Sequence, residues 1–271
     1  ASQYFFSRDT VVYAHVPLAA AATKNMYFEL PVLDGFSFSQ ATNATEITLN
    51  QAQSTAGTSL RARQMFNDSY APAEWSFSTY MSPFTSAGGT KGTSGKASAT
   101  DGAHCEVSEA MWAMFFDQTV NGALTSDATD LNISPSNSNK ATVGVFDLYF
   151  VLGGAQQSDR VYTSTEGSGS QELVYKIADC SVNEISFDFD IDGIATVNWS
   201  GMGKLITDFG ALDLSSSSAL IYEGVSNTTG YIRNRVSDLT LTPASLNSGT
   251  AYVATLTGGN ITMSNNLTYL T

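Results

Sequence analysis

The segment with the most obvious chemistry is a run in which three aspartates alternate along the chain. Asp188, Asp190 and Asp192 precede Gly193, which matches the opening of an EF-hand calcium loop. An EF-hand also needs a glutamate at the twelfth position to close the ligand shell, and Trp199 stands there. The pattern therefore does not predict a calcium site.

Two further motifs fail for similar reasons. The glycine-rich run that ends at Gly95-Lys96 has Thr90 where a phosphate-binding loop needs its first glycine, and Ala97 where it needs Ser or Thr. The imidazoles and thiols of the chain are His15, His104, Cys105 and Cys180. Because two of the four are adjacent, they suit neither a tetrahedral zinc site nor a Cys-His nucleophile pair. We expect no metal, no cofactor and no catalytic centre, and we expect both cysteines to be buried free thiols.

Carbohydrate binding or carbohydrate hydrolysis is the main alternative to a chain without a binding or catalytic site. Trp75, Trp199 and the tyrosines could stack on sugars in an adhesin, a receptor-binding protein or a decoration protein. Two of the 25 acidic residues could also converge in a groove, as in a glycoside hydrolase, although nothing singles out a pair. These alternatives require exposed aromatic side chains or turnover of a glycan.

The distribution of acids between positions 177 and 203 is unusual. This stretch contains five acidic residues and no Lys or Arg. We single out Glu184, Asp188 and Asp190 because they alternate with core-type residues along one predicted strand. They form either an ordinary solvated face or an acidic strip that is repeated around a pore.

Composition limits the possible partners. The chain of 271 residues has 25 Asp and Glu against 12 Lys and Arg, and only 14% of its residues are charged. A net charge of -13 repels polyanions and offers no basic surface for gripping phosphates. We expect no membrane span, and the first ten residues lack the pattern of a signal peptide, so we expect synthesis in the cytoplasm.

Short runs rich in Val, Ile, Thr and aromatic residues recur along the chain between Gly, Asn, Asp and Pro. They predict an all-β fold of two packed antiparallel sheets, a sandwich or barrel. One helix is predicted at 105–116, where Val107, Met111, Met114 and Phe115 form an apolar stripe that would lie on a sheet. The strands are predicted at 10–16, 26–33, 36–40, 46–50, 60–66, 74–81, 143–152, 173–177, 183–190, 194–200, 231–241, 251–256 and 261–270.

The segment 185–199 predicts a hairpin with a defined register. A two-residue turn would mix apolar and polar side chains on each face. A three-residue loop pairs Phe187 with Val197 and Ile185 with Trp199, and it separates the two faces cleanly. We expect Phe187, Phe189, Val197 and Trp199 to be buried, with Gly193 in the left-handed conformation.

Six segments follow one another in a distinctive order, namely PVLDGFSFSQATNATEITLN, APAEWSFSTYMSPF, EVSEAMWAMF, FDFDIDGIATVNWSGMGKLI, IRNRVSDLTLT and YVATLTGGNITMSNNLTYLT. This ordered series shows a resemblance to the tail tube (major tail) proteins of long-tailed bacteriophages. It implies a single tail-tube domain over 1–271, with long loops or insertions at about 86–102, 118–141 and 209–230.

The resemblance also implies a function without catalysis. Six copies would close into a ring, and stacked rings would form a tube in the tail of the virion. Its acidic lumen, with Glu184, Asp188 and Asp190 as candidate lining residues, would conduct DNA during ejection without binding it tightly. The expected partners are further copies of the chain, the tape measure, terminator and baseplate or tip proteins, and DNA in transit. The loop with Ser86, Lys91, Lys96 and Gly102 would contact a neighbouring ring.

Overall fold

The protein is described by a computed structural model over residues 5–16, 25–47, 64–81, 109–116, 143–154, 159–163, 172–190, 193–215, 219–222, 237–241 and 251–269. Across these ranges the chain is nearly all β-structure, with a short 3-10 turn at Ser7–Asp9 and one α-helix, α1 (Glu109–Phe115). The strands are β1 (Val11–Val16), β2 (Asn25–Leu30), β3 (Ser37–Ser39), β4 (Thr42–Ile47), β5 (Gln64–Tyr70), β6 (Ala73–Tyr80), β7 (Phe146–Leu152), β8 (Val161–Thr163), β9 (Leu173–Asp190), β10 (Thr196–Gly203), β11 (Leu205–Asp208), β12 (Ala211–Asp213), β13 (Ala219–Tyr222), β14 (Ser237–Leu241), β15 (Tyr252–Leu256) and β16 (Gly258–Ser264).

The predicted all-β class with a flanking helix is confirmed, and the two sheets share one strand. Sheet I has the order β13-β2-β1-β7-β9-β11, and sheet II has the order β16-β9-β10-β6-β3. All pairs are antiparallel except β13 with β2, which is parallel. The strands β14 with β15, β4 with β5, and β12 with β8 form separate two-stranded units. Among the described strands the sheet order is open and no barrel closes.

Strand β9 is longer than predicted, since the two strands expected at 173–177 and 183–190 are one strand of 18 residues. Its first part pairs with β7 and β11, and its second part pairs with β10 and β16. The chain bends at Asp179, whose φ of 51° is a left-handed value that Asp tolerates better than most residues. On β10 the ladder shifts register between Ser200 and Gly201. The bend lets one strand pass from sheet I to sheet II.

The main core lies between the two sheets. Phe38 of β3 packs against Phe150 of β7 at a ring distance of 4.6 Å, and Trp75 of β6 meets Phe146 at 5.9 Å. Met111, Met114 and Phe115 of α1 are buried in the same core, as the helical stripe predicted. Val107 and Cys105 lie outside the described residues, whereas Cys180 is a buried free thiol as expected.

A second, smaller core covers the opposite face of sheet I. The β8 and β12 strands lie over it, and the hydroxyls of Tyr13 and Tyr162 share a buried hydrogen bond of 2.8 Å. Burial raises the pKa of both phenols, so they remain neutral donors and acceptors. Sheet I is therefore buried on both faces, while the outer face of sheet II has no such cover in the described part of the chain.

The predicted hairpin register is confirmed. Val197 pairs with Phe187, Trp199 with Ile185, and Asn198 with Ser186. Val197 and Trp199 are buried, and Phe187 is half-buried with its ring stacked on Trp112 of α1 at 5.0 Å. The side chain of Phe189 lies outside the description.

The conformation predicted for Gly193 is wrong. The described glycines with positive φ are Gly35 and Gly153. The observed pairs extend as far as Asp188 with Thr196, which is the predicted register, and the Gly193 N–H donates to the Asp190 carbonyl at 3.3 Å.

Candidate functional site

The outer surface of sheet II, here called the polar face, is built from the side chains that alternate with the core. Because successive side chains of a strand point to opposite faces, five neighbouring strands bring their polar residues to one side. The polar face comprises Ser37, Ser39, Glu74, Ser76, Ser78, Tyr80, Thr196, Asn198, Ser200, Met202, Glu184, Ser186, Asp188, Asp190, Asn260, Thr262 and Ser264.

The charges of the polar face have a single sign. It carries Glu74, Glu184, Asp188 and Asp190, all of them exposed, and none of its residues is Lys or Arg. The structure thus brings the three acids singled out in the sequence onto one surface and adds Glu74 from β6. Asp179 lies apart at the bend of β9, where its carboxylate is 3.7 Å from Lys204 Nζ. Asp192 lies outside the described residues.

Small side chains make the rest of the polar face, and hydrogen bonds connect them across strands. Ser37 and Ser76 share a bond of 2.8 Å between their hydroxyls. Ser78 Oγ donates to Asn198 Oδ1 at 2.6 Å, and Asn198 Nδ2 donates to Asp188 Oδ2 at 2.6 Å. Cross-strand pairs of this kind hold a sheet in register, and here they make its surface hydrophilic.

Strand β16 completes the polar face at its edge. Asn260 lies directly opposite Asp188 and donates from Nδ2 to Asp188 Oδ1. The hairpin pattern already indicated that Asn198 shares a face with Ser186. Asn260 could not be found in this way, because its pairing joins segments more than seventy residues apart.

The bend that carries β9 into the polar face is held by Asp147 of β7. Asp147 Oδ2 lies 2.8 Å from Lys176 Nζ and 3.5 Å from His15 Nδ1, and Oδ1 accepts the Asp179 N–H at 3.1 Å. Burial alone would raise the pKa of Asp147, but the His15 ring, the Lys176 ammonium and the Asp179 amide outweigh it and lower the pKa to about 2. No sequence motif pointed to this cluster.

This carboxylate should make stability depend on acid pH. Since its folded-state pKa is about 2 against an ordinary value of 3.8, Asp147 stabilises the fold above the ordinary value and loses this contribution as pH falls towards 2. Asp147→Asn should therefore cost about 2 kcal/mol of unfolding free energy at neutral pH, and roughly half of that at about pH 3. Urea unfolding of both proteins at the two pH values measures this difference. An equal cost at both would contradict the assignment.

The described residues do not support the sugar-binding and metal-binding sites that were considered from the sequence. Trp75 and Trp199 are 2% and 1% exposed, so neither can stack on a sugar, and Trp199 Nε1 donates to Thr79 Oγ1 at 3.0 Å. No group of three or more His, Cys, Asp or Glu is placed to hold a metal within the described ranges. No described helix is long and apolar enough to cross a membrane. The loop with Ser86, Lys91, Lys96 and Gly102 lies outside the description.

One curated relative shares sequence with nearly the whole chain. The tail tube protein pb6 of Escherichia phage T5 is 26% identical over 250 residues, which cover 90% of this chain. The resemblance to tail tube proteins is confirmed. The chain spans only 46% of the length of that relative. No family model matches the chain.

Solved structures of contractile systems also give matches. A sheath/tube terminator of the extracellular contractile injection system PVC has a TM-score of 0.36 and 10% identity, and the match covers 76% of this chain and 98% of that one. The tube-terminating cap of the anti-feeding prophage has a TM-score of 0.35 and 14% identity, over 78% and 94%. Scores this low do not establish a shared fold.

Proposed function

We propose that the chain is a structural subunit of a bacteriophage tail tube, located in the tail of the virion and without enzymatic activity. The observation that carries the proposal is the polar face, a sheet surface whose charged side chains are all acidic. It belongs to a chain that is similar in sequence to a tail tube protein. Rings of six copies would stack into a tube, each subunit contributing one domain over 1–271 with elaborations at 86–102, 118–141 and 209–230.

The polar face would line the channel. Buried against a neighbouring subunit, the Glu184 and Asp188 carboxylates would carry a large desolvation cost, because the residues of this face include no Lys or Arg. Facing the channel, they stay hydrated and repel the phosphates of passing DNA. The proposal therefore assigns Glu184, Asp188 and Asp190 to the lumen, with DNA as a transient partner and tape measure, terminator and baseplate or tip proteins at the tube ends.

Assembly of the purified chain tests the tube proposal. Negative-stain imaging should show long hollow tubes, whereas a carbohydrate-binding or decoration protein would stay as separate particles. A deletion of 86–102, the proposed contact between rings, should leave a folded subunit that forms few tubes. The full chain with a scrambled 86–102 segment is the matched control for loop length. Separate particles from the full chain would contradict the proposal, and normal tubes from the deletion would contradict the role of the loop.

A further inference from the structure

Two amide side chains, one from each strand beside β9, donate to the same carboxylate. Asn198 of β10 gives one N–H to Asp188 Oδ2 at 2.6 Å, and Asn260 of β16 gives one N–H to Asp188 Oδ1. The second N–H of Asn198 is used by Ser186 Oγ at 3.2 Å. An ionised carboxylate accepts hydrogen bonds and donates none, so it fixes the orientation of both amides.

The remaining bonds of this network run in the same direction. Ser78 donates to Asn198 Oδ1 at 2.6 Å, and Thr262 donates to Asn260 Oδ1 at 2.8 Å. The side chains on both sides of Asp188 therefore donate hydrogen bonds towards it, in a network that spans four strands. Such a chain of bonds strengthens each member and occupies the hydroxyl and amide hydrogens that take part in it.

This orientation matters because a surface without Lys or Arg can still bind phosphate. Hydroxyl and amide groups of Ser, Thr and Asn are common donors to phosphate oxygens. At physiological ionic strength the repulsion between a polyanion and the acidic side chains is largely screened beyond about 8 Å. A phosphate that does come into contact with the face can still bind any free hydrogen-bond donor there. A polar face rich in Ser, Asn and Thr therefore needs some means of occupying its donors.

We propose that Asp188 makes the polar face non-adhesive to phosphate by capturing the amide donors of Asn198 and Asn260, in addition to its charge. The proposal rests on the proposed function, in which DNA passes this surface. It assigns to Asp188 a role that Glu184 does not share. Glu184 is exposed on the same face, and no hydrogen bond of its side chain is found among the described residues.

The chain offers a matched pair of variants. Asp188→Asn and Glu184→Gln each remove one negative charge from the polar face and each add one amide. Only the first takes an acceptor oxygen away from the Asn198 and Asn260 amides, because an NH2 group replaces one of the two carboxylate oxygens. Binding of inorganic tripolyphosphate to the full chain, measured by calorimetry at fixed ionic strength, should be about tenfold tighter for Asp188→Asn than for Glu184→Gln. Asp188→Ser, which removes both carboxylate oxygens without adding an amide, should show at least as large a gain.

Removing the released donors should abolish the gain. The triple variant Asp188→Asn with Asn198→Ala and Asn260→Ala should bind tripolyphosphate no more tightly than Glu184→Gln. Equal affinities for Asp188→Asn, Asp188→Ser and Glu184→Gln, or a gain that survives in the triple variant, would overturn the proposal. Measured on the subunit before assembly, this result does not depend on where the tube places the polar face, so the network proposal and the tube proposal can fail separately.

Discussion

Replacing Gly201 by alanine should destabilise the subunit by about 3 kcal/mol. Gly201 lies where β10 shifts its register against β9, and it is buried beside the core. An added Cβ would lie 2.1 Å from the Ser181 carbonyl oxygen and 2.4 Å from Trp75 Cζ2. The backbone oxygen belongs to a paired strand and the indole is packed on Phe77 and Phe146, so neither can move away cheaply.

Gly210 provides the control for this prediction. A Cβ at Gly210 would meet nothing within 4 Å, and its φ is not in the left-handed region. Gly210→Ala should therefore leave stability within about 0.5 kcal/mol of the natural chain. Urea unfolding of both variants measures the difference. Similar stabilities for the two would show that the bend of β9 and β10 is not as tightly packed as described.

Replacing Glu184, Asp188 and Asp190 together by lysine should produce virions that assemble tails but eject DNA poorly. The substitutions reverse three charges of the polar face in every subunit, and lysines repeated along a channel would bind phosphates by releasing counterions. The three side chains are exposed on the outer face of sheet II, so the core is untouched. Infectivity should fall by orders of magnitude and partly recover at high salt, because each phosphate contact weakens as salt rises.

A control variant separates the effect of the face from that of net charge. Asp9, Asp159 and Asp213 lie in segments outside sheet II, and replacing all three by lysine changes the net charge equally. This variant should keep near-normal infectivity if the polar face lines the channel. Equal losses of infectivity in the two triple variants, or a loss that does not respond to salt, would contradict the proposed role of the face.

The parts of the fold that sequence could predict are those with local, two-faced patterns. The hairpin register followed from the alternation of Ile185, Phe187, Val197 and Trp199 with polar residues, because a one-residue slip would reverse every side chain. The helix stripe followed from its spacing in the same way. Both patterns depend only on neighbours in the chain, so tertiary structure did not change them.

Other features depend on contacts that no local pattern contains. Strand β7 is buried on both faces, and β9 runs through a left-handed Asp179, so the alternation is interrupted where sheet I becomes sheet II. The Asp147 cluster that holds this bend joins residues from three strands. The acids at 184, 188 and 190 were visible in sequence, but Glu74 and Asn260 reach the same face only through long-range strand pairing.

The central claim is that the polar face lines the channel of a tube, and a cryo-EM reconstruction of tubes assembled from the full chain tests it most directly. The account predicts that sheet II faces the lumen in every subunit, with Glu184, Asp188 and Asp190 pointing into the channel and the Asp188 network intact. A reconstruction that places Asp188 and Asp190 on the outer surface of the tube, or against a neighbouring subunit, would contradict it.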